Sequence, residues 1–518
     1  MTLFRARIFL LASVIWVSGL GRLFAEDAPS MPGLPSQAAS GAQIDAIGNS
    51  VVKVFGTRRG PDVMKPWTKL DPLEISGSGL VIEGNRILTN AHLVQYVTNL
   101  QIQGSQAGDR ISAKVETVSQ GIDLAVLKLD DESFFATHPP LMRAVGLPRI
   151  RDSVLVYGYP TGGESLSITK GIVSRIDFSS YGGTHFGLRM QIDAAINHGN
   201  SGGPAMVGDK VIGLAYSFLS GAQNIGYIIP NEEIDLMLKR VAAGGAYRGR
   251  PMSADAYQST ENPALRRFLH LDPGVQGVVV IKPALDDSAY PIKRWDVVTR
   301  IGEVPVDNQG MVKLRDDLQV SMTYLYQGLG DGAFVPVTVI RGGRAESVQL
   351  PIATDLPVLF ADLEGSYPSY FILGPLVFSR ASLQLVALTA SLPATTEWLE
   401  KHDSPLLTRL GDKPAFPGED VVVLCPFLAS ALTVGYRDPA LRVVKVVNGT
   451  PVRNLLHLVA LLRDSKQKFV VIEFADQHVE KFVFRQQELV ASTEAIMANN
   501  GIRSQGSADT MAEWNRTP

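Results

Sequence analysis

The chain is 518 residues long, 45% hydrophobic and 19% charged. Independent domains run from about 50 to 250 residues, so this length excludes a single core and points to roughly three. The formal net charge is −3 and no basic stripe is present, which excludes the electrostatic footprint of a nucleic-acid binder.

At the N-terminus, Arg5 and Arg7 precede an uncharged apolar run from Ile8 to Leu20, and Leu23-Phe24-Ala25 precedes Glu26. This is the pattern of a signal peptide over residues 1–25, with an uncleaved anchor or an organelle-targeting segment as the alternatives. The run is shorter than the about 20 apolar residues that span a bilayer. The only cysteine is Cys425, so no intrachain disulfide is possible. An exported chain without disulfides fits a bacterial envelope, so the expected compartment is the periplasm. Cys425 ends the run Asp420-Val-Val-Val-Leu-Cys425 and is expected as a small buried strand residue. Residues 26–43, rich in Pro, Ser and Ala, are expected as a flexible lead-in.

From 44 to 246, short apolar runs alternate with Gly, Pro, Asp and Asn. Val51–Phe55, Gly79–Ile82, Leu124–Leu127, Val154–Tyr157 and Val211–Ala215 predict strands of a sandwich or barrel. A helix closes this unit: Asn231 is its expected cap, Glu232 and Glu233 suit the positive end, and Ile234, Leu238 and Val241 share a face. A second unit spans 251–352, with strands expected in Pro273–Ile281, Trp295–Ile301 and Val335–Ile340. A third spans 356–489. Its Val443–Val452 segment echoes Val297–Val306 as a strand, a tight turn and Pro-Val, which suggests two copies of one module. Residues 490–518 are expected as a C-terminal tail, polar and mobile from about Asn499.

The strongest chemical motif is Gly199-Asn200-Ser201-Gly202-Gly203-Pro204. A serine hydroxyl is a weak nucleophile unless a base activates it. The glycines permit a tight turn that aims the N–H groups of Gly199 and Ser201 at one oxyanion, each donor being worth roughly 3 to 4 kcal/mol in the transition state. His92, in Leu88-Thr-Asn-Ala-His-Leu-Val94, follows an apolar strand and is the candidate base. Asp123, in Gly121-Ile-Asp-Leu-Ala-Val-Leu-Lys128, enters another apolar strand. Burying its carboxylate is costly without a partner, and orienting His92 provides one.

The order His92, Asp123, Ser201 in these contexts resembles chymotrypsin-fold proteases. The phrases Gly77–Ile82, Thr89–His92, Gly158–Pro160, Gly171–Ser174, Gln191–Asn197 and Asn224–Pro230 resemble the HtrA/Deg branch. Pro368–Phe371 and the turn at Val446–Val452 resemble plant-type Deg proteases. The resemblance implies a mainly β fold, with a trypsin-like double β-barrel protease domain followed by two α+β domains, one PDZ and one PDZ-like. It implies ATP-independent serine endopeptidase activity on unfolded or damaged proteins, without cofactor or metal, in a homo-oligomer of trimers or multiples of trimers. In this fold the residue six before the nucleophile floors the specificity pocket; here that is Ala195, which implies cleavage after small or medium apolar residues. Gly274-Val-Gln-Gly277 is a candidate loop for capturing peptide C-termini. His198 departs from the proline or small residue of many relatives; it has no assigned catalytic role, and a perturbed loop or pH-sensitive resting activity is the hypothesis attached to it. Asp177–His185, rich in Ser, Gly and Tyr, is expected as a mobile activation loop. The alternative functions are a chaperone-like or peptide-binding scaffold with low resting activity, and a processing protease with one target.

Overall fold

The computed structural model describes residues 47–516 except 105–107, 161–164, 182–184, 198, 217–224, 245–252, 286, 328, 330–331 and 354–356. The readings placed on residues 1–43 and on His198 lie outside the described residues. No helix among the described residues is long and apolar enough to cross a membrane.

Two antiparallel barrels come first. Strands β1 (Val51–Arg58), β2 (Leu73–Ile82), β3 (Arg86–Thr89), β4 (Val97–Gln103), β5 (Ile111–Ser119) and β6 (Leu124–Leu129) close in the order β1-β2-β3-β6-β5-β4. Strands β7 (Ser153–Gly158), β8 (Ser167–Tyr181), β9 (His185–Ile192), β10 (Pro204–Val207), β11 (Lys210–Tyr216) and β12 (Gly226–Pro230) close in the order β10-β11-β12-β9-β8-β7. Closure leaves no unpaired sheet edge. The apolar runs explain the register: Val51 faces Leu80 across β1–β2, and both side chains are fully buried. A core of Leu80, Leu88, Ile122, Leu124, Tyr157, Met206, Leu214 and Ile229 joins residues of both barrels. Each such side chain contributes about 1.5–3 kcal/mol by leaving water.

Of the segment Asp177–His185, expected as a mobile activation loop, residues 182–184 lie outside the described residues and the rest is paired strand. Asp177 pairs with Arg189, Phe178 with Leu188, and the ladder runs on to Tyr181 and His185. Its Ser, Gly and Tyr residues suggested a loop, but cross-strand pairing overrides that composition. Helix α1 (Asn231–Ala242) packs Ile234 and Met237 into the barrel core. Asn231 does not cap it. Pro230 holds the N-cap position, and the Asn231 side chain donates to the carbonyls of Ala144 and Val211 instead.

The next module has strands β13 (Ala256–Ser259), β14 (Val278–Lys282), β15 (Val297–Ile301), β16 (Val304–Pro305), β17 (Met311–Arg315), β18 (Leu318–Ser321), β19 (Phe334–Arg341) and β20 (Arg344–Pro351). Five form the order β13-β14-β15-β19-β20, with β16 beside β15 and β17–β18 as a separate hairpin. Helix α2 (Pro263–Phe268) is capped by the Asn262 side chain. This module shares a core with the second barrel: Val173, Ile176 and Phe178 cluster with Val320, Met322 and Tyr326. At the edge of that contact, Arg315 donates to the carbonyls of Leu147 and Pro148, and Tyr324 donates to Glu232.

The last module contains β21 (Tyr370–Leu373), β22 (Leu376–Arg380), β23 (Val422–Leu424), β24 (Val444–Val447), β25 (Thr450–Pro451), β26 (Phe469–Phe474) and β27 (Phe482–Arg485). Its helices are α3 (Leu383–Ala390), α4 (Pro393–Lys401), α5 (Pro405–Thr408), α6 (Leu455–Asp464), α7 (Gln486–Asn499) and α8 (Ala508–Trp514). The echo between modules is a shared hairpin: Ile301 pairs with Val304 and Val447 with Thr450. Gly302 and Gly449 take the positive φ that each turn needs, at 54° and 80°. Cys425 is buried beside β23 with its N–H bonded to Val377.

The stretch beyond residue 489, expected as a C-terminal tail and mobile from about Asn499, is instead folded through Trp514. Position 489 falls inside α7, and the chain beyond it packs back on β21. Ser507 and Thr510 bond the Tyr370 backbone, Trp514 packs at a tilt against Phe371 with ring centroids 4.9 Å apart, and Arg463 pairs with Glu513. This module also meets the first barrel. Trp67 packs against its core, Tyr96 donates to the Ser366 carbonyl at 3.0 Å, and Tyr367 donates to the Arg59 carbonyl at 3.0 Å.

Candidate active site

His92 lies in a single helical turn, Ala91–Leu93, directly after β3. Asp123 lies in the turn that enters β6, 31 residues further on. Pairing of β3 with β6 brings the two together, because Thr89 faces Ala125. The His92 Nδ1 lies 2.8 Å from Asp123 Oδ2, and the His92 backbone N–H donates to Oδ1 at 2.9 Å. Both carboxylate oxygens are therefore spent on one histidine. Asp123 is 2% exposed while the His92 side chain is 40% exposed, so the ring has a covered face toward the carboxylate and an open one.

Asp123 has φ +61°, a left-handed conformation that is strained for a residue with a Cβ. The surroundings hold it there. Its N–H bonds the Gln120 carbonyl at 3.0 Å, and the Asn90 side chain donates to its carbonyl at 3.0 Å.

Burial works against a charge on His92, but the negative charge of Asp123 and its hydrogen bond outweigh that, with a smaller opposing effect from Arg58. The net result is an imidazole held above its ordinary 6.5. Tyr216, at the end of β11, packs edge-on to the ring with centroids 6.4 Å apart.

Ser201 belongs to the other barrel, in the loop between β9 and β10, and is 4% exposed. Ser78 of β2 anchors this loop across the cleft. Its N–H donates to the Ser201 carbonyl at 2.8 Å, and its hydroxyl donates to the Gly199 carbonyl at 2.7 Å. The same hydroxyl accepts the Tyr159 N–H at 2.8 Å, and Thr89 donates to the Ser78 carbonyl. Gly199 sits at φ 98°. Gly202 and Gly203 are required by close approach: a Cβ would lie 2.0 Å from the Ser78 carbonyl oxygen or 1.9 Å from that of Tyr157. Ala195 lies exposed on the same loop. Among the described residues no group of three or more His, Cys, Asp and Glu is placed to hold a metal.

The candidate carboxylate loop at Gly274–Gly277 runs directly into β14. Gly277 N–H donates to the Asn308 side chain at 3.3 Å and Val275 N–H to the Asp272 carbonyl at 3.1 Å, so two of its amides are committed inside the module. Ser78, Asn90 and Tyr216 received no role from sequence reasoning. Ser78 and Asn90 stand inside the quoted phrases Gly77–Ile82 and Thr89–His92, so their neighbourhood was a signal; nothing marked Tyr216.

Residues 77–214 match a trypsin-like peptidase domain and residues 361–509 match a PDZ domain. The chain is 35% identical over 473 residues to Protease Do-like 2, chloroplastic, of Arabidopsis thaliana, covering 90% of this chain and 76% of that protein. It is 34% identical over 452 residues to Protease Do-like 4, mitochondrial, of the same plant, covering 84% and 82%. Among solved structures, the HtrA-type protease AlgW with a decapeptide is similar at 21% identity and a TM-score of 0.47, covering 61% of this chain and 98% of that one. Two closed barrels followed by PDZ-type modules, with similarity over nearly the whole described chain, make this protein a member of the Do-like (HtrA/Deg) family of serine proteases.

Proposed function

We propose that the chain is an ATP-independent endopeptidase of protein quality control that cleaves unfolded or damaged proteins through Ser201, His92 and Asp123. The observation that carries this reading is the two-point hold of Asp123 on His92, with Oδ2 2.8 Å from Nδ1 and Oδ1 accepting the His92 N–H. A bond to Nδ1 directs Nε2 to the base's role and stabilises the imidazolium once it forms.

In this mechanism Ser201 Oγ attacks the scissile carbonyl and its proton passes to His92 Nε2. The amides of Gly199 and Ser201 bind the oxyanion. The imidazolium then returns the proton to the leaving amine, and water hydrolyses the acyl-enzyme by the same route. Ala195 forms the base of the specificity pocket. A small uncharged residue there gives a basic side chain no counter-charge, so cleavage follows small or medium apolar residues. The partners are unfolded chains and their peptide C-termini. The active form is a trimer or a multiple of trimers, and residues 1–25 direct export to the periplasm.

The test is digestion of casein by purified mature protein and by its Ser201→Ala variant. Degradation by the wild type alone supports the reading. Degradation by both removes Ser201 from the chemistry. If neither cleaves and both suppress aggregation, the protein works as a chaperone-like scaffold. Fractionation of cells expressing the chain with and without residues 1–25 tests the export assignment.

A further inference from the structure

Strand β9 alternates as a barrel strand should. Leu188, Met190 and Ile192 face the core of the second barrel. Arg189 lies on the opposite face, where an arginine ordinarily meets water, yet it is fully buried. A buried guanidinium is costly unless its donors are used. One terminal nitrogen donates to the Leu188 carbonyl at 2.8 Å. The other reaches into the first barrel and donates to the Ile122 carbonyl at 3.0 Å. The cation lies over the ring of Tyr216, 5.4 Å from its centroid, and Tyr216 is the residue packed edge-on to His92. Glu233 of α1, also fully buried, accepts the Leu188 N–H at 2.5 Å. A buried positive and a buried negative side chain thus meet on one residue of β9.

Ile122 precedes Asp123, so its carbonyl belongs to the peptide group whose N–H is that of Asp123. That peptide is clamped at both ends, by Arg189 at the oxygen and by Gln120 at the N–H. The following carbonyl, that of Asp123 itself, is held by Asn90. The φ of +61° at Asp123 is therefore fixed from both sides. The geometry points to Arg189 as a positioning residue for the proposed His92–Asp123 pair: a cation of the second barrel that sets the strained turn of the first and, through Tyr216, backs the His92 ring. This rests on the triad reading above, and it couples the barrel that carries Ser201 to the aim of the base in the other.

The experiment uses the full chain and three variants: Arg189→Met/Glu233→Gln, which removes both buried charges and keeps an acceptor for Leu188 N–H; Arg189→Lys; and Ser201→Ala. Acylation by a fluorophosphonate, kcat and KM on one peptide, and the melting temperature are measured. The expected result is a double variant that melts near the wild type with KM within about twofold, while acylation and kcat both fall about 100-fold, as when a catalytic group is misplaced by about 1 Å. Arg189→Lys, which keeps the charge, recovers part of that loss. Acylation by the double variant within about threefold of wild type overturns the inference, as does a loss that tracks KM or the melting temperature instead of kcat. If Arg189→Lys and the double variant both melt below the assay temperature, Arg189 is structural and the positioning role falls. A Ser201→Ala protein that still cleaves sinks the triad reading itself, a result distinct from an active triad indifferent to Arg189.

Discussion

The Ser78 hydroxyl donates to the Gly199 carbonyl, tying β2 of the first barrel to the loop that carries Ser201 in the second. It simultaneously accepts the Tyr159 N–H, so removing one oxygen atom frees two backbone groups beside the proposed oxyanion site. Ser78→Ala is expected to lower kcat about tenfold or more with little change in KM, because deleting an oxyanion donor outright costs 100- to 1,000-fold and here the donors would only be loosened. Steady-state kinetics on a single peptide checks this; an unchanged kcat means the loop sets itself.

His92 must be neutral to accept the Ser201 proton. Asp123 raises its pKa above 6.5, so the acidic limb of kcat/KM should have its midpoint above 6.5. The linked stability has the matching sign. The His92–Asp123 contribution is complete below 6.5 and fades as pH climbs through the raised folded value. In Asp123→Asn the raising influence is lost and burial remains, so the midpoint should drop below 6.5 while kcat falls by about 10⁴-fold. A pH–rate profile of both proteins decides it.

Replacing Ala195 by Asp should redirect cleavage. A carboxylate at the floor of the proposed pocket would pair with Lys or Arg and repel nothing apolar by shape, so basic residues should enter the preferred position. Mass spectrometry of casein fragments from wild type and Ala195→Asp reads this directly. Wild-type cleavage clustered after Lys or Arg would disprove the pocket assignment.

Gly203 has no room for a methyl group, since its Cβ would sit 1.9 Å from the Tyr157 carbonyl oxygen, a backbone atom that cannot step aside. Gly203→Ala should cost about 3 kcal/mol or more and abolish acylation. Gly208, where a Cβ meets nothing within 4 Å, provides the contrast, although its φ of 63° keeps some strain. Urea unfolding of the two variants should separate them clearly.

Much of this was legible in the residues. The runs at Val51, Leu124 and Val211 are strands because continuous apolar stretches of that length suit a closed barrel buried inside and covered outside. The hairpin echo was visible because turn glycines leave a mark wherever positive φ is needed. The partnership of His92 with Asp123 was not readable from spacing, since strand pairing across the barrel carries no local trace; it rested on the cost of burying a carboxylate without a partner and on the resemblance. Asn231 looked like a cap, but its buried environment gave its amide better acceptors. Arg189 carried no signal in the sequence, because its cover comes from the other barrel and from Tyr216. The C-terminal stretch looked mobile for the same reason: Ile502, Met511 and Trp514 are too sparse to form a pattern, and their meaning lies in β21 and the core behind it.

The apolar core that Phe178 shares with Met322 and Tyr326 has a practical consequence for anyone who would shorten the chain. A fragment ending after α1 would carry both barrels and every residue of the proposed triad, yet it would bare the side of the second barrel that Val320 and Met322 now cover. Such a fragment should bind hydrophobic dyes and cluster in solution, and its poor behaviour would say little about the enzyme. The second barrel and the module of β13–β20 share one apolar core, and expression boundaries placed between them cut through it.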